Sequence, residues 1–317
     1  MPIVLAGVAA ATFGVADFLG GSAARRVPSA MVATLAQVAG LVMLLAVVLV
    51  ALPATPLVVP LAWGALAGTA GGIGVPVLYR ALAAGPMNVV APLAALTSAV
   101  VPVLTGTLLG ERPSAPAWVG IALAVAAGTA VGSAAERDPR GSDRNRVRSA
   151  HRAPPATEPR TPESSPTDAP GRRAWRGATL ALFAGVCFGG FFTLLAQAPA
   201  GAGLWPVTVA RLTGSLVAAG VLVAAVRSGG LRGEGGFRWR GVGWRLAVVC
   251  GLLDAAANAL YLLAVQGGQL AVVGAVVALY PASTVLLARL LHRERIAPLQ
   301  CVGLALAVPA LTLVGAG

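Results

Sequence analysis

Apolar residues follow one another in runs of about 20 along almost the whole chain, and only short polar segments separate the runs. A helix needs about 20 apolar residues to cross the roughly 30 Å hydrocarbon core of a bilayer, so each run predicts one transmembrane helix. Ten runs are present, near residues 3 to 22, 30 to 52, 60 to 83, 88 to 109, 115 to 133, 177 to 197, 204 to 226, 243 to 265, 270 to 291 and 297 to 315. The expected fold class is an all-α integral membrane protein.

One apolar stretch occurs twice. Residues Gly85 to Gly132 and Gly268 to Gly315 are identical at 20 of 48 positions, at a constant shift of 183. Each copy holds a Val-Val pair, an apolar run, a Glu-Arg pair and a second apolar run that opens with Val-Gly. Self-similarity at a fixed shift indicates a repeated structural unit, and a repeated membrane segment is typical of two-fold transporters.

A polar segment separates the two copies. Residues 134 to 176 are rich in Pro, Ser and Arg and hold ten of the 23 Arg together with six acids. Such a composition cannot bury enough apolar surface to fold, which predicts a disordered linker between a first repeat, 1 to 133, and a second, 177 to 317. Because each repeat crosses the membrane five times, the second starts on the opposite side, so the repeats are expected to be inverted.

The Arg residues predict the orientation. Without the linker, the loops after odd-numbered spans hold 11 Arg and the loops after even-numbered spans hold one, Arg112. The positive-inside rule then places the odd loops and the linker in the cytoplasm, with both termini outside. We expect a multi-pass protein of a bacterial plasma membrane.

Composition argues against several other function classes. The chain is 57% hydrophobic and 11% charged, and its net charge of +12 comes from Arg scattered over membrane loops rather than gathered on one face. Nucleic-acid binding is therefore not expected. The sequence shows no nucleophile with a base, no cluster of metal ligands and no nucleotide-binding loop, so neither an enzyme nor a cofactor or metal is predicted. The three Cys lie apart within apolar spans and are interpreted as packing residues.

Three ionisable residues lie within spans: Asp17, Arg211 and Asp254. A charge at mid-membrane costs at least about 2.5 to 3.5 kcal/mol, so such residues usually face a cavity or a partner and are functional candidates. Asp254, Asn258 and Tyr261 fall at i, i+4 and i+7 and form one polar stripe. The alternative interpretation of this stripe is a hydrogen-bonded seam between helices. Arg211 has two interpretations, as the partner of Asp254 or Asp17, or as a group that binds an anionic substrate.

Asp17 has two interpretations. It is either a proton or cation site, because loss of water favours the protonated carboxyl, or a carboxylate near the interface that Arg25 or Arg26 neutralises. Neutral groups within spans complete the set of substrate-site candidates: Gln37, Tyr79, Thr97, Ser98 and Tyr280. Any one of these could be mere packing.

The repeated charged pairs are interpreted differently. Glu111 with Arg112 and Glu294 with Arg295 end the fourth and ninth spans, where a solvated structural turn is the simplest explanation. Gly residues four apart, such as Gly64 and Gly68, predict close helix packing.

The chain resembles the EamA-type members of the drug/metabolite transporter superfamily. The resemblance lies in the two five-span halves and in Val-Val-Ala-Pro-Leu…Val-Pro-Val-Leu…Gly-Glu-Arg-Pro…Val-Gly-Ile-Ala-Leu, echoed from Val272 to Leu306. It implies a ten-helix carrier with a central cavity for amino acids, other metabolites or drugs, often moved outward. Asp17 resembles the essential acid of the small multidrug-resistance relatives. The long Arg-rich linker and the outside termini depart from the family pattern.

These observations predict a secondary transporter that exports a small molecule by alternating access. The substrate site is expected at Arg211, Asp254, Asn258, Tyr261 and the neutral candidates, with Asp17 for ion coupling and a proton as the candidate ion. The expected partners are the lipid bilayer and the substrate, for a monomer or homodimer. The alternatives are a lipid or lipid-linked-sugar flippase, in which Arg211 would hold phosphate, and a membrane-embedded enzyme or sensor.

Overall fold

The computed structural model describes residues 1–24, 26–51, 58–84, 87–134, 170–227, 241–292 and 298–316. Within these ranges the chain forms eleven α-helices: α1 Pro2–Ala24, α2 Ser29–Ala51, α3 Val58–Ala84, α4 Met87–Leu108, α5 Ala115–Ala134, α6 Pro170–Ala196, α7 Trp205–Arg227, α8 Val242–Gly267, α9 Leu270–Val277, α10 Tyr280–His292 and α11 Pro298–Ala316. A short 3-10 helix, Ala200–Ala202, precedes α7.

The helices account for ten membrane spans, as predicted. Eight helical segments are long and apolar enough to cross a membrane, and one of them, Leu270–Leu287, runs through both α9 and α10. Helices α4 and α5 supply two shorter apolar segments, Leu93–Leu108 and Ala115–Val131. The all-α membrane fold with two five-span repeats is therefore confirmed.

The helix of the sixth span begins earlier than the hydrophobic pattern suggests. Helix α6 starts at Pro170, inside the stretch predicted as linker, because Pro is favoured in the first helical turn and the Arg residues that follow do not oppose a helix. Residues 135–169 of the predicted linker lie outside the described residues, as do Glu294 and Arg295.

The two halves interleave. Helix α1 packs most extensively on α8, and its counterpart α6 packs most extensively on α3. In the same way α2 packs on α8 while α7 packs on α3, and α5 packs on α11. Every one of these pairings joins the two halves, and exchanging the halves reproduces the pattern. The centre of the bundle is consequently built from both repeats.

Two glycine contacts show the equivalence of the two halves at atomic detail. A Cβ at Gly68 of α3 would overlap the carbonyl oxygen of Ala210 of α7, and a Cβ at Gly251 of α8 would overlap that of Ala36 of α2. Gly68 and Gly251 are 183 positions apart, which is the shift of the sequence repeat. Each contact needs a residue without a side chain because the backbones touch there.

The ninth span is interrupted where α9 ends and α10 begins. Helix α10 is held against α1 by two hydroxyls: Ser283 donates to the carbonyl of Ala10 at 3.3 Å, and Thr284 donates to that of Gly14 at 3.2 Å. These bonds fix the first turn of α10, which carries Tyr280, beside the middle of the bundle.

Candidate functional site

A cavity of about 580 Å³ lies between the two halves. Helices α1 to α8 and α10 contribute to its wall, and its volume falls within the usual range for a small-molecule site. Most of the lining is apolar. The ionisable and hydrogen-bonding side chains of the wall include Asp17, Gln37, Ser98, Arg211, Asp254, Asn258, Tyr280 and Thr284.

Arg211 is held from two sides. Its Nη2 forms a close ion pair with Oδ2 of Asp254, and its Nη1 donates a hydrogen bond to Oε1 of Gln37 at 2.6 Å. The side chain of Arg211 is only 7% exposed, whereas Asp254 keeps 32% of its side chain exposed. Of the partners considered for Arg211, the structure therefore selects Asp254, and the pairing offsets the cost of placing both charges inside the bundle.

Asp17 has a different environment. Its side chain is exposed in the cavity, and among the described residues nothing donates a hydrogen bond to it or pairs with its charge. Arg26 forms no ion pair with it, and Arg25 lies outside the described residues. Among the described residues the cavity wall thus holds two carboxylates and one guanidinium, which sum to one negative charge when both carboxylates are ionised.

Two residues of the polar stripe on α8, Asn258 and Tyr261, have different environments. Asn258 lines the cavity, its Nδ2 donates to the carbonyl of Asp254 at 2.7 Å, and its buried Oδ1 has no hydrogen-bond partner. Tyr261 is fully buried and absent from the cavity wall. Its hydroxyl points to another helix instead and donates to the carbonyl of Phe192 at 2.8 Å. Tyr261 therefore forms the helix seam that was the alternative interpretation, and the structure does not place it in the site.

The neutral candidates are also divided. Gln37, Ser98 and Tyr280 line the cavity. Thr97 is not part of the wall, and its hydroxyl donates to the carbonyl of Leu93 within its own helix. The side chain of Tyr79 lies outside those that the structure describes.

Sequence reasoning missed the aromatic part of the wall, namely Phe13, Phe188, Phe191 and Phe192. The ring of Phe192 packs edge-to-face against that of Phe13, at 5.9 Å between centroids, and against that of Phe191, at 5.2 Å. Phe13 precedes Asp17 by four residues, which places both on one face of α1. That spacing was the available signal.

Glu111 makes a structural contact between the halves. Its Oε1 accepts a hydrogen bond from the backbone N–H of Leu270 at 2.5 Å, and its Oε2 accepts one from Ala271 at 2.9 Å. These are the first amides of α9, which have no partner within their own helix. The carboxylate caps α9 in the manner of a helix N-cap, while neighbouring Arg112 is exposed.

The sequence pattern of the EamA-like transporter family matches residues 1–131 and 175–316, which are the two halves of the bundle. The chain belongs to the EamA-like transporter family. Its membership makes it a membrane transporter of the drug/metabolite superfamily, with one EamA repeat on either side of the segment that was predicted as linker.

A solved crystal structure of a protein shares the fold. The two chains align with a TM-score of 0.68 at 16% sequence identity, over 98% of this chain and 96% of the other. Among curated proteins, none matches this EamA chain at a significant level. The likeness therefore extends over the full ten-span fold and is a likeness of fold alone.

Proposed function

We propose that this EamA protein is a secondary transporter that exports a small molecule by alternating access. The observation that carries the proposal is the central cavity, which lies between two interleaved inverted halves and holds an unpaired carboxylate. Rocking of one inverted half against the other opens such a cavity to each side in turn. Its volume suits a metabolite, an amino acid or a drug of similar size.

The proposed substrate site consists of the cavity residues around the ion pair: Arg211, Asp254, Asn258, Gln37, Ser98 and Tyr280. Asp17 is the proposed site of ion coupling. A carboxylate that no cation neutralises can take up and release a proton, and a position inside the cavity gives the proton access to whichever side is open.

The Arg distribution supports the proposed orientation, in which the linker is cytoplasmic and both termini lie outside a bacterial plasma membrane. Export follows from the resemblance to outward-moving EamA carriers. The protein works in this proposal as a monomer or homodimer.

The flippase alternative fits the cavity less well. It requires a cation that is available to a phosphate group, and the only Arg in the described cavity wall is Arg211. Both terminal nitrogens of Arg211 already have partners, Asp254 and Gln37. A lipid phosphate would therefore meet a guanidinium whose charge Asp254 already compensates.

The test compares metabolite pools inside and outside cells that overexpress the wild type, Asp17→Asn or Asp138→Asn. Asp138 lies in the segment from 134 to 176, so its substitution removes the same charge at a position outside both EamA repeats. We expect at least one metabolite to be depleted inside and enriched outside with the wild type and Asp138→Asn, but not with Asp17→Asn. Wild-type profiles that match those of cells without the protein would overturn transport, and equal export by Asp17→Asn would overturn the coupling role.

A further inference from the structure

We propose that the cavity selects organic monocations that carry an N–H donor on an apolar or aromatic body, that is, protonated hydrophobic amines. The inference rests on the proposed function only in taking this cavity as the transport site. Three independent features of the wall point to this class: its net charge, its aromatic rings and one unsatisfied acceptor.

The first feature is the net charge. In the described part of the wall, Asp17 and Asp254 contribute two negative charges when ionised, and Arg211 contributes one positive charge that is already paired. An anion would add to an excess of negative charge in a wall that is mostly apolar, where charges are poorly screened. A monocation neutralises that excess and leaves the Arg211 ion pair intact.

The second feature is the group of four phenylalanines from α1 and α6. Phe13, Phe191 and Phe192 pack edge-to-face, and Phe188 shares the same cavity wall. The faces of aromatic rings attract ammonium groups, most strongly where water is excluded. The same rings offer an apolar surface to the body of the ligand, so one cluster can serve both parts of an amphipathic cation.

The third feature is Oδ1 of Asn258. This atom is buried and has no hydrogen-bond partner, although Asn258 is 3% exposed and lines the cavity. Buried acceptors are nearly always satisfied, and because Asn258 lines the cavity, rotation of its amide toward a bound ligand would give Oδ1 a donor. Asn258 lies one helical turn from Asp254, whose carboxylate is partly open to the cavity. A primary ammonium can donate to acceptors on this face, whereas a quaternary ammonium has no N–H to donate.

Anions and zwitterions fit less well because the positive charge of Arg211 is already paired with Asp254. Both terminal nitrogens of Arg211 are engaged, one by Asp254 and one by Gln37. A carboxylate of a ligand would have to compete with an ion pair that is already formed. The carboxyl group of an amino acid is therefore expected to weaken binding relative to the amine alone.

The test measures binding calorimetrically with the full chain in lipid nanodiscs and uses four probes that share one phenylethyl group. They are 2-phenylethylamine, its N,N,N-trimethyl analogue, the anion 3-phenylpropanoate and the zwitterion L-phenylalanine. We expect 2-phenylethylamine to bind most tightly, the trimethyl analogue about tenfold more weakly, and 3-phenylpropanoate not measurably. Asp17→Asn should weaken amine binding at least about tenfold, because it removes the uncompensated charge, whereas Asp138→Asn should leave binding unchanged.

A second variant addresses the acceptor. Asn258→Leu should bring the affinities for 2-phenylethylamine and its trimethyl analogue close together, since it removes the group that distinguishes them. This ratio of affinities is informative even where the variant is less stable. A ratio that stays at its wild-type value would overturn the role of Asn258.

Three results would each overturn the proposal: preferential binding of 3-phenylpropanoate, amine binding that Asp17→Asn leaves unchanged, or no amine binding at about 10 mM. The last is decisive because a site with a Kd of about 1 mM would be filled at that concentration. Binding is measured without any gradient. A protein that binds amines but does not move them would refute the proposed transport and uphold the amine selectivity. Export of an anion would uphold the transport and refute the amine selectivity.

Discussion

Gln37 and Arg211 occupy equivalent places in the two halves, 174 positions apart, and they hydrogen-bond directly to each other. Their neighbours Ala36 and Ala210 are equivalent as well, since each touches a matching glycine across the interface. Equivalent residues of two inverted halves can meet only near the axis that relates them. The contact therefore marks the centre of the protein, and there the two halves differ in chemistry: one supplies an amide and the other a cation.

Arg211→Gln should destabilise the protein. It would place the same residue at both equivalent positions and leave Asp254 without its cation. We expect a loss of about 2 kcal/mol, below the roughly 3 to 5 kcal/mol for fully buried pairs, because Asp254 is partly open to the cavity. Combining it with Asp254→Asn should recover most of this loss. Thermal unfolding in detergent measures both effects, and equal melting of Arg211→Gln and the wild type would contradict the ion pair.

Gly68→Ala should disturb the contact between α3 and α7, because its Cβ would overlap the backbone of Ala210. Forcing a group into a close-packed interface costs roughly 1 to 3 kcal/mol. Gly220→Ala is the matched control, since a Cβ at Gly220 of α7 meets nothing within 4 Å. We expect Gly68→Ala alone to lower the melting temperature. Equal melting of the two variants would show that the backbones do not touch as described.

Glu111→Gln should weaken the cap of α9. The neutral amide keeps one acceptor oxygen but loses the charge that favours a helix N-terminus, at a cost of about 0.5 to 2 kcal/mol. Arg112→Gln changes an exposed neighbour and should leave stability within about 0.5 kcal/mol of the wild type. Thermal unfolding of the two variants side by side measures the difference. A larger effect at Arg112 would argue against the capping role.

The orientation is testable with a reporter fused after Gly317. With 11 Arg in the odd loops and one in the even loops, we expect the C-terminus outside the cytoplasm. A periplasmic phosphatase at this position should be active and a fluorescent protein that matures only in the cytoplasm should be dark. The opposite result would place the termini inside and reverse every loop assignment.

The fold was largely predictable because span length and the repeat are encoded locally in the sequence. The ion pair of Arg211 with Asp254 was predicted only as one of several options, since which charges meet depends on how α7 and α8 pack. The stripe on α8 shows the same limit: helical spacing places Tyr261 near Asn258, but it does not reveal that Phe192 offers its carbonyl to the hydroxyl. The aromatic wall was missed because phenylalanines in a membrane helix resemble residues that face lipid.

Alternating access is tested at Ser98, which lines the cavity. Ser98→Cys is placed in a chain whose native Cys187, Cys250 and Cys301 are replaced by Ala, and membrane-impermeant maleimide is added to right-side-out or inside-out vesicles. Ala67→Cys, at a fully buried position outside the cavity wall, serves as the unreactive control. We predict that Ser98→Cys is modified from either face while the vesicles stay impermeable to ions. Modification from one face only, however long the exposure, would contradict alternating access.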